Sequence, residues 1–119
     1  MLESAGIAKP ELLASTVIGT VFLFNGMVYR ICAGSAVAVK VATVKALNRM
    51  RINVKSIDRD AGQEVIFATS GERSVEVRVE TLNPQSVRMR ISAHQGEQDD
   101  VETAAEIIAS AERLLAQPV

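Results

Sequence analysis

The chain has 119 residues, 48% apolar and 23% charged; these proportions exclude a disordered or collagen-like polymer and suit one domain of the usual ~100–150 residues. Thirteen Lys and Arg stand against fourteen Asp and Glu, a net charge of −1, so bulk charge argues against a nucleic-acid partner. One Cys and one His exclude an internal disulfide, a cysteine zinc cluster and multi-histidine metal sites, and no cofactor is expected.

Residues 1–11 are polar and of mixed charge and read as a loose N-terminus. The next segment, 12–34, is apolar, and Leu12 to Tyr29 contains no charged residue. That run admits two readings. Its length just reaches that of a membrane span, roughly 20 residues. Yet it holds Ser15, Thr16, Thr20, two glycines and several β-branched residues, and Asn25-Gly26 between VFLF and MVYRI is a strong hairpin signal, because both turn positions tolerate positive φ. A secretory signal needs a positive start that Glu3, Lys9 and Glu11 do not supply. The tripeptide before Cys32, Tyr29-Arg30-Ile31, is not a lipoprotein cleavage box.

Residues 35–117 read as an α+β domain. Ser35 caps a helix running to about Met50, with Arg49 and Arg51 near its C-terminal end. Val39, Ala42, Ala46, Leu47 and Met50 form a core stripe, while Val37, Val41 and Val44 form a second apolar row on the other side. Three valines are more than a solvated face needs. Ile52 to Lys55, Val65 to Ala68, the alternating Val75, Val77 and Val79, and Val87, Met89 and Ile91 read as four strands. Turns fall at Asp58–Gly62, Ser70-Gly71-Glu72 and Asn83-Pro84-Gln85. On the solvent face Glu80 should fall near Arg88, and Arg90 near Glu76 and Arg78. After a polar loop from His94 to Gln98, Asp99 with Glu102 caps a last helix. Its apolar stripe is Val101, Ala104, Ala105, Ile108, Ala111 and Leu115, and Pro118 ends it. The expected architecture is an antiparallel sheet of four to five strands with two helices on one face, in the order β-hairpin (or anchor)–α–β–β–β–β–α.

Three groupings are weighed for chemistry. Asp58, Asp60, Gly62 and Glu64 resemble the start of a calcium loop, but the glycine is one place early and Thr69 stands where a bidentate Glu is needed; a hairpin turn is the simpler reading. His94 with Glu97, Asp99 and Asp100 reads as a solvated acidic loop rather than a metal site. Cys32 beside Arg30 lacks a histidine base nearby in sequence and reads as a buried strand cysteine. No catalytic or metal site is expected, and a small enzyme using Cys32 or His94 is the remote alternative. Charge is segregated: Lys40, Lys45, Arg49, Arg51, Lys55 and Arg59 face Asp58 alone over 40–59, whereas 94–113 holds six acids against Arg113. Either the two helices neighbour and neutralise each other, or the surface is bipolar and favours assembly or an acidic partner.

Asn25-Gly26, Ser35, Val39, Ala42, Ala46-Leu47, Ile52 to Asp60, Val75/Val77/Val79 and Ile107-Ile108 together make residues 20–116 similar to a bacterial family of small uncharacterised envelope proteins, many with a lipoprotein signal ahead of this domain. This chain lacks the lipobox. The resemblance supplies no catalytic residues and implies a non-catalytic binding or assembly module of the cell envelope or periplasm. A cytoplasmic homo-oligomeric interaction domain is the alternative. The expected partner is a second copy or another protein, met through Val37, Val41, Val44, Arg49 and Arg51. Membrane association would run through residues 12–29.

Overall fold

Asn25 and Gly26 hold φ of 53° and 75°, the pattern of a type I′ turn, whose twist suits a two-residue hairpin. They join β1 (Phe22–Phe24) to β2 (Met27–Ala33) in antiparallel register, with Phe24 opposite Met27. The computed structural model describes residues 22–116. Within it the apolar stretch is strand and turn, so the anchor reading does not hold for residues 22–29; residues 12–21, the expected loose end at 1–11 and Pro118 lie outside the described residues. No helix among the described residues is long and apolar enough to cross a membrane.

Ser35, with extended φ and ψ of −84° and 162°, accepts the Ala38 N–H on its hydroxyl at 3.1 Å and starts α1 (Ala36–Arg49). The helix ends in a Schellman motif: Ile52 N–H donates to the Leu47 carbonyl at 2.9 Å and Arg51 N–H to that of Asn48 at 3.0 Å. Arg51 itself takes φ of 63°, a conformation that glycine adopts at less cost. Both Leu47 and Ile52 are buried, the apolar contact that usually seals this motif.

Four strands then run as a meander, β3 (Asn53–Asp60), β4 (Gln63–Ser70), β5 (Arg73–Asn83) and β6 (Ser86–Gln95). The Asp58–Gly62 stretch is the β3–β4 hairpin turn, with positive φ at Ala61 and Gly62. A bulge between Val54 and Ser56 interrupts the ladder of edge strand β3, a device that discourages further edge pairing. A short β7 (Gln98–Asp99) folds back on β6, and α2 (Val101–Ala116) closes the described chain.

Among the described residues the sheet has seven strands, ordered β1-β2-β6-β5-β4-β3 with β7 paired to the end of β6, all antiparallel. This corrects the expected four to five strands and the order, which becomes ββα-βββββ-α. The added strand lies where a polar loop was expected: His94 and Gln95 pair with Asp99 and Gln98. Asp99 is therefore not the cap of α2. Asp100 is, accepting the Thr103 N–H at 3.2 Å and the Thr103 hydroxyl at 2.7 Å. Shifting the cap by one residue rotates the helix, so Ile107 joins Ala104, Ile108 and Ala111 in the core while Ala105 is only half-buried.

Both helices cover one face of the sheet, side by side and antiparallel, α2 over β2 and β6 and α1 over β3–β5. Between the layers lie Val28, Leu47, Ile66, Val77, Val79, Met89, Ile91, Ile107 and Ile108. Thr43 is the one buried polar residue among the described residues, and its hydroxyl donates to the Val39 carbonyl at 2.7 Å, which meets its hydrogen-bonding need inside α1.

Candidate functional site

With α1 fixed in phase by Ser35, its buried side is Val39, Ala42, Thr43, Ala46 and Leu47. At 3.6 residues per turn, positions 37 and 41 then fall nearly opposite. Val37 is 65% exposed and Val41 46%. Val44 packs partly against the core, so the expected row of three is an exposed pair with a third valine half withdrawn. Ile57, on the helix-bearing side of edge strand β3, is another exposed apolar residue. Val37 and Val41 stand one helical turn apart and so adjoin on one side of α1, and it is adjoining rather than scattered exposed apolar side chains that mark contact surfaces.

Charges frame this face. Lys40 Nζ lies 3.4 Å from Glu64, and Arg59 bonds the same carboxylate. Toward the C-terminal end of α1, Lys45, Arg49, Arg51 and Lys55 are exposed and have no carboxylate partner among the described residues. The structure thus brings Arg49 and Arg51 to one end of the valine pair. The two helices are neighbours, yet no ion pair among the described residues joins them. Instead Glu112 binds Arg30 at 3.0 Å and Glu106 binds Arg113 at 3.1 Å, while Glu102 is exposed. The surface therefore keeps its bipolar character.

Cys32 lies on the inner face of β2, 1% exposed. Burial, with the neighbouring Glu112 carboxylate second, pushes its thiol up to about 12, the opposite of what an attacking thiolate needs. His94 is a strand residue on the opposite, outer face, with Nε2 3.1 Å from Asp99. Cys32 pairs with Val87, seven positions from His94 along β6, roughly 24 Å of strand at ~3.4 Å per residue. The two side chains cannot act together. Among the described residues no three His, Cys, Asp or Glu side chains converge on a point where an ion would sit.

The outer sheet face holds the expected neighbours, with Arg90 beside both Glu76 and Arg78. Glu80 does meet Arg88, at 3.0 Å. Arg90 stands directly opposite Arg78, and of the two arginines it is Arg78 that donates to Glu76, at 2.6 Å. Sequence reasoning placed these side chains correctly on one face but could not tell which arginine Glu76 would choose.

Among the described residues these features define an α+β domain with two helices on one side of an antiparallel sheet. No family model matches the chain, and no curated protein matches it. Among solved structures, a conserved protein of unknown function from Enterococcus faecalis, EF2215, is similar, with a TM-score of 0.51 at 10% identity over 91% of this chain and 84% of that one. Likeness at that identity concerns the fold.

Proposed function

We propose that the chain is a non-catalytic binding and assembly module that pairs with a second copy of itself through the outward side of α1, in the setting of the bacterial cell envelope. The observation that carries the pairing is the exposure of Val37 and Val41 on a helix whose other side already fills the core. Valine gives a solvated helix no propensity advantage over Lys or Glu, so its presence there calls for a contact. An antiparallel crossing of two copies of α1 about Val41 sets Lys45 and Arg49 of one chain at the opposite end from those of the other, which limits like-charge repulsion. A buried Cys32 and a remote His94 leave the enzyme alternative without a reactive pair.

The envelope setting is supported by the sequence resemblance. Cell fractionation tests it: recovery of the full chain with the envelope is expected, and recovery wholly in the cytosol would remove that half of the proposal in favour of the cytoplasmic oligomer. The pairing is tested by mild oxidation of Val41→Cys, whose native Cys32 is buried. A disulfide-linked dimer is expected, and a product that stays monomeric at high micromolar concentration would overturn it.

A further inference from the structure

The sheet face turned away from the two described helices carries a second feature, independent of α1. Strand register sets Tyr29, Arg90, Arg78 and Val65 in one row across β2, β6, β5 and β4, and Met27, Ser92, Glu76 and Phe67 in the next. Each row is apolar at its ends and polar in the middle. Two adjoining hollows lie along it, about 270 Å³ beside Met27 and Arg90 and about 170 Å³ beside Phe67 and His94. Glu76 and Ser92 line both, so the hollows form one shallow trough.

Its two arginines are unequally partnered. Arg78 and Arg90 face each other on neighbouring central strands, and like charges directly opposite destabilise a sheet. Arg78 is answered: Glu76 accepts from it at 2.6 Å, Asp60 at 3.2 Å and Gln63 at 3.3 Å. The bond from Glu76 raises the Arg78 pKa further and commits that carboxylate. Arg90 is half-buried and has no ion pair or hydrogen bond with any described residue. A guanidinium in this position presents a planar fork of donors that fits a carboxylate bidentately. Arg90, the one of the two arginines that no described carboxylate contacts, suits one negative charge, and Glu76 at the centre of the trough disfavours a second. Met27, Tyr29 and Phe67 offer apolar surface on either side.

We propose that this trough binds a small monocarboxylate with an apolar body, its carboxylate on Arg90 and its body along Met27 toward Phe67. The ligand's charge offsets the repulsion between the two arginines, and the apolar wings exclude water from the ion pair. Because the trough and α1 lie on opposite faces of the sheet, binding does not require the pairing proposed above.

Decanoate is a suitable probe, titrated into the full chain and followed by NMR at the methionine methyls and arginine Nε groups. Decan-1-ol and decyltrimethylammonium serve as neutral and cationic counterparts. Saturable shifts are expected at the Met27 methyl and Arg90 Nε with decanoate, at an affinity at least about tenfold above that of either counterpart, the usual worth of a charge-assisted pair. Arg90→Gln should weaken decanoate by about the same factor while leaving amide shifts outside the trough in place, and Arg90→Lys should restore part of the loss. The proposal is overturned if decanoate gives no saturable shift up to millimolar concentration, if decan-1-ol binds equally well, or if Arg90→Gln binds like the unaltered chain.

Discussion

Truncating Ile108 to Ala tests whether α2 seals the core where the structure puts it. Ile108 is 0% exposed, in a helix lying over β2 and β6, whose inward residues include Val28, Met89 and Ile91. The change removes three carbon groups, at about 0.8 kcal/mol each for burial, or about 2.4 kcal/mol of transfer free energy. The helix cannot settle into the space left behind. Arg73 holds Asp100 at its start at 3.1 Å and Arg30 holds Glu112 near its end at 3.0 Å. A cavity therefore persists, and its cost brings the expected loss to about 3–4 kcal/mol, within the ~2–5 kcal/mol range of such truncations. Urea unfolding followed by far-UV circular dichroism measures it, with an unchanged m-value showing that the native and unfolded states are otherwise comparable. Ile31→Ala is the control: Ile31 is 56% exposed on the sheet face turned away from the two described helices and should cost no more than about 0.5 kcal/mol. A loss below about 1 kcal/mol at Ile108, or equal losses at the two positions, would refute this packing.

Asp100 should make stability acid-sensitive: its hydrogen bonds to Thr103, and then Arg73, hold its carboxyl below the usual value of 3.8, so its contribution is complete above that pH and fades as pH falls below it. Asp100→Ala should cost about 1 kcal/mol at pH 7 as a lost cap, and its stability should fall less steeply below pH 4 than that of the unaltered chain; equal slopes in acid urea titrations would contradict the assignment. Arg51→Gly should raise stability by up to about 1 kcal/mol, because glycine takes the left-handed C-terminal position with less strain, and a lower thermal midpoint would argue against the Schellman ending. The Cys32 thiol should react with iodoacetamide at pH 8 far more slowly in the native chain than in urea, and matching rates would place it outside the core.

Much of this fold is legible where local signals and burial agree. Asn25-Gly26 specified its hairpin because two successive positive φ values suit few other pairs, and Ser35 and the alternation of Val75, Val77 and Val79 gave the first helix and a central strand. The misses lie where distant contacts choose between near-equal local options. Asp99 and Asp100 are both competent caps. Asp99 is taken by β7, opposite His94 and against the hairpin turn, where a Cβ on Gly26 would come within 2.2 Å of its Oδ2; Asp100 is left to cap α2. The phase of that helix, and with it the burial of Ile107, follows from this tertiary choice. The valine row of α1 was readable as a surplus of apolar residues, but the partial withdrawal of Val44 depends on how the helix packs on the core, which helical spacing alone does not contain. Glu76 could reach an arginine two residues on or one across the ladder, and only side-chain geometry separates the two.

The central claim is that Val37 and Val41 form a contact between two copies. Sedimentation equilibrium of the full chain, alone and as Val37→Glu plus Val41→Lys, tests it most directly, because both positions are exposed and neither substitution disturbs the core. The unaltered chain should sediment as a concentration-dependent dimer at micromolar concentrations, and the double variant as a monomer with an unchanged circular dichroism spectrum. A monomer for the unaltered chain at high micromolar concentration, or a dimer that survives both substitutions, would contradict it.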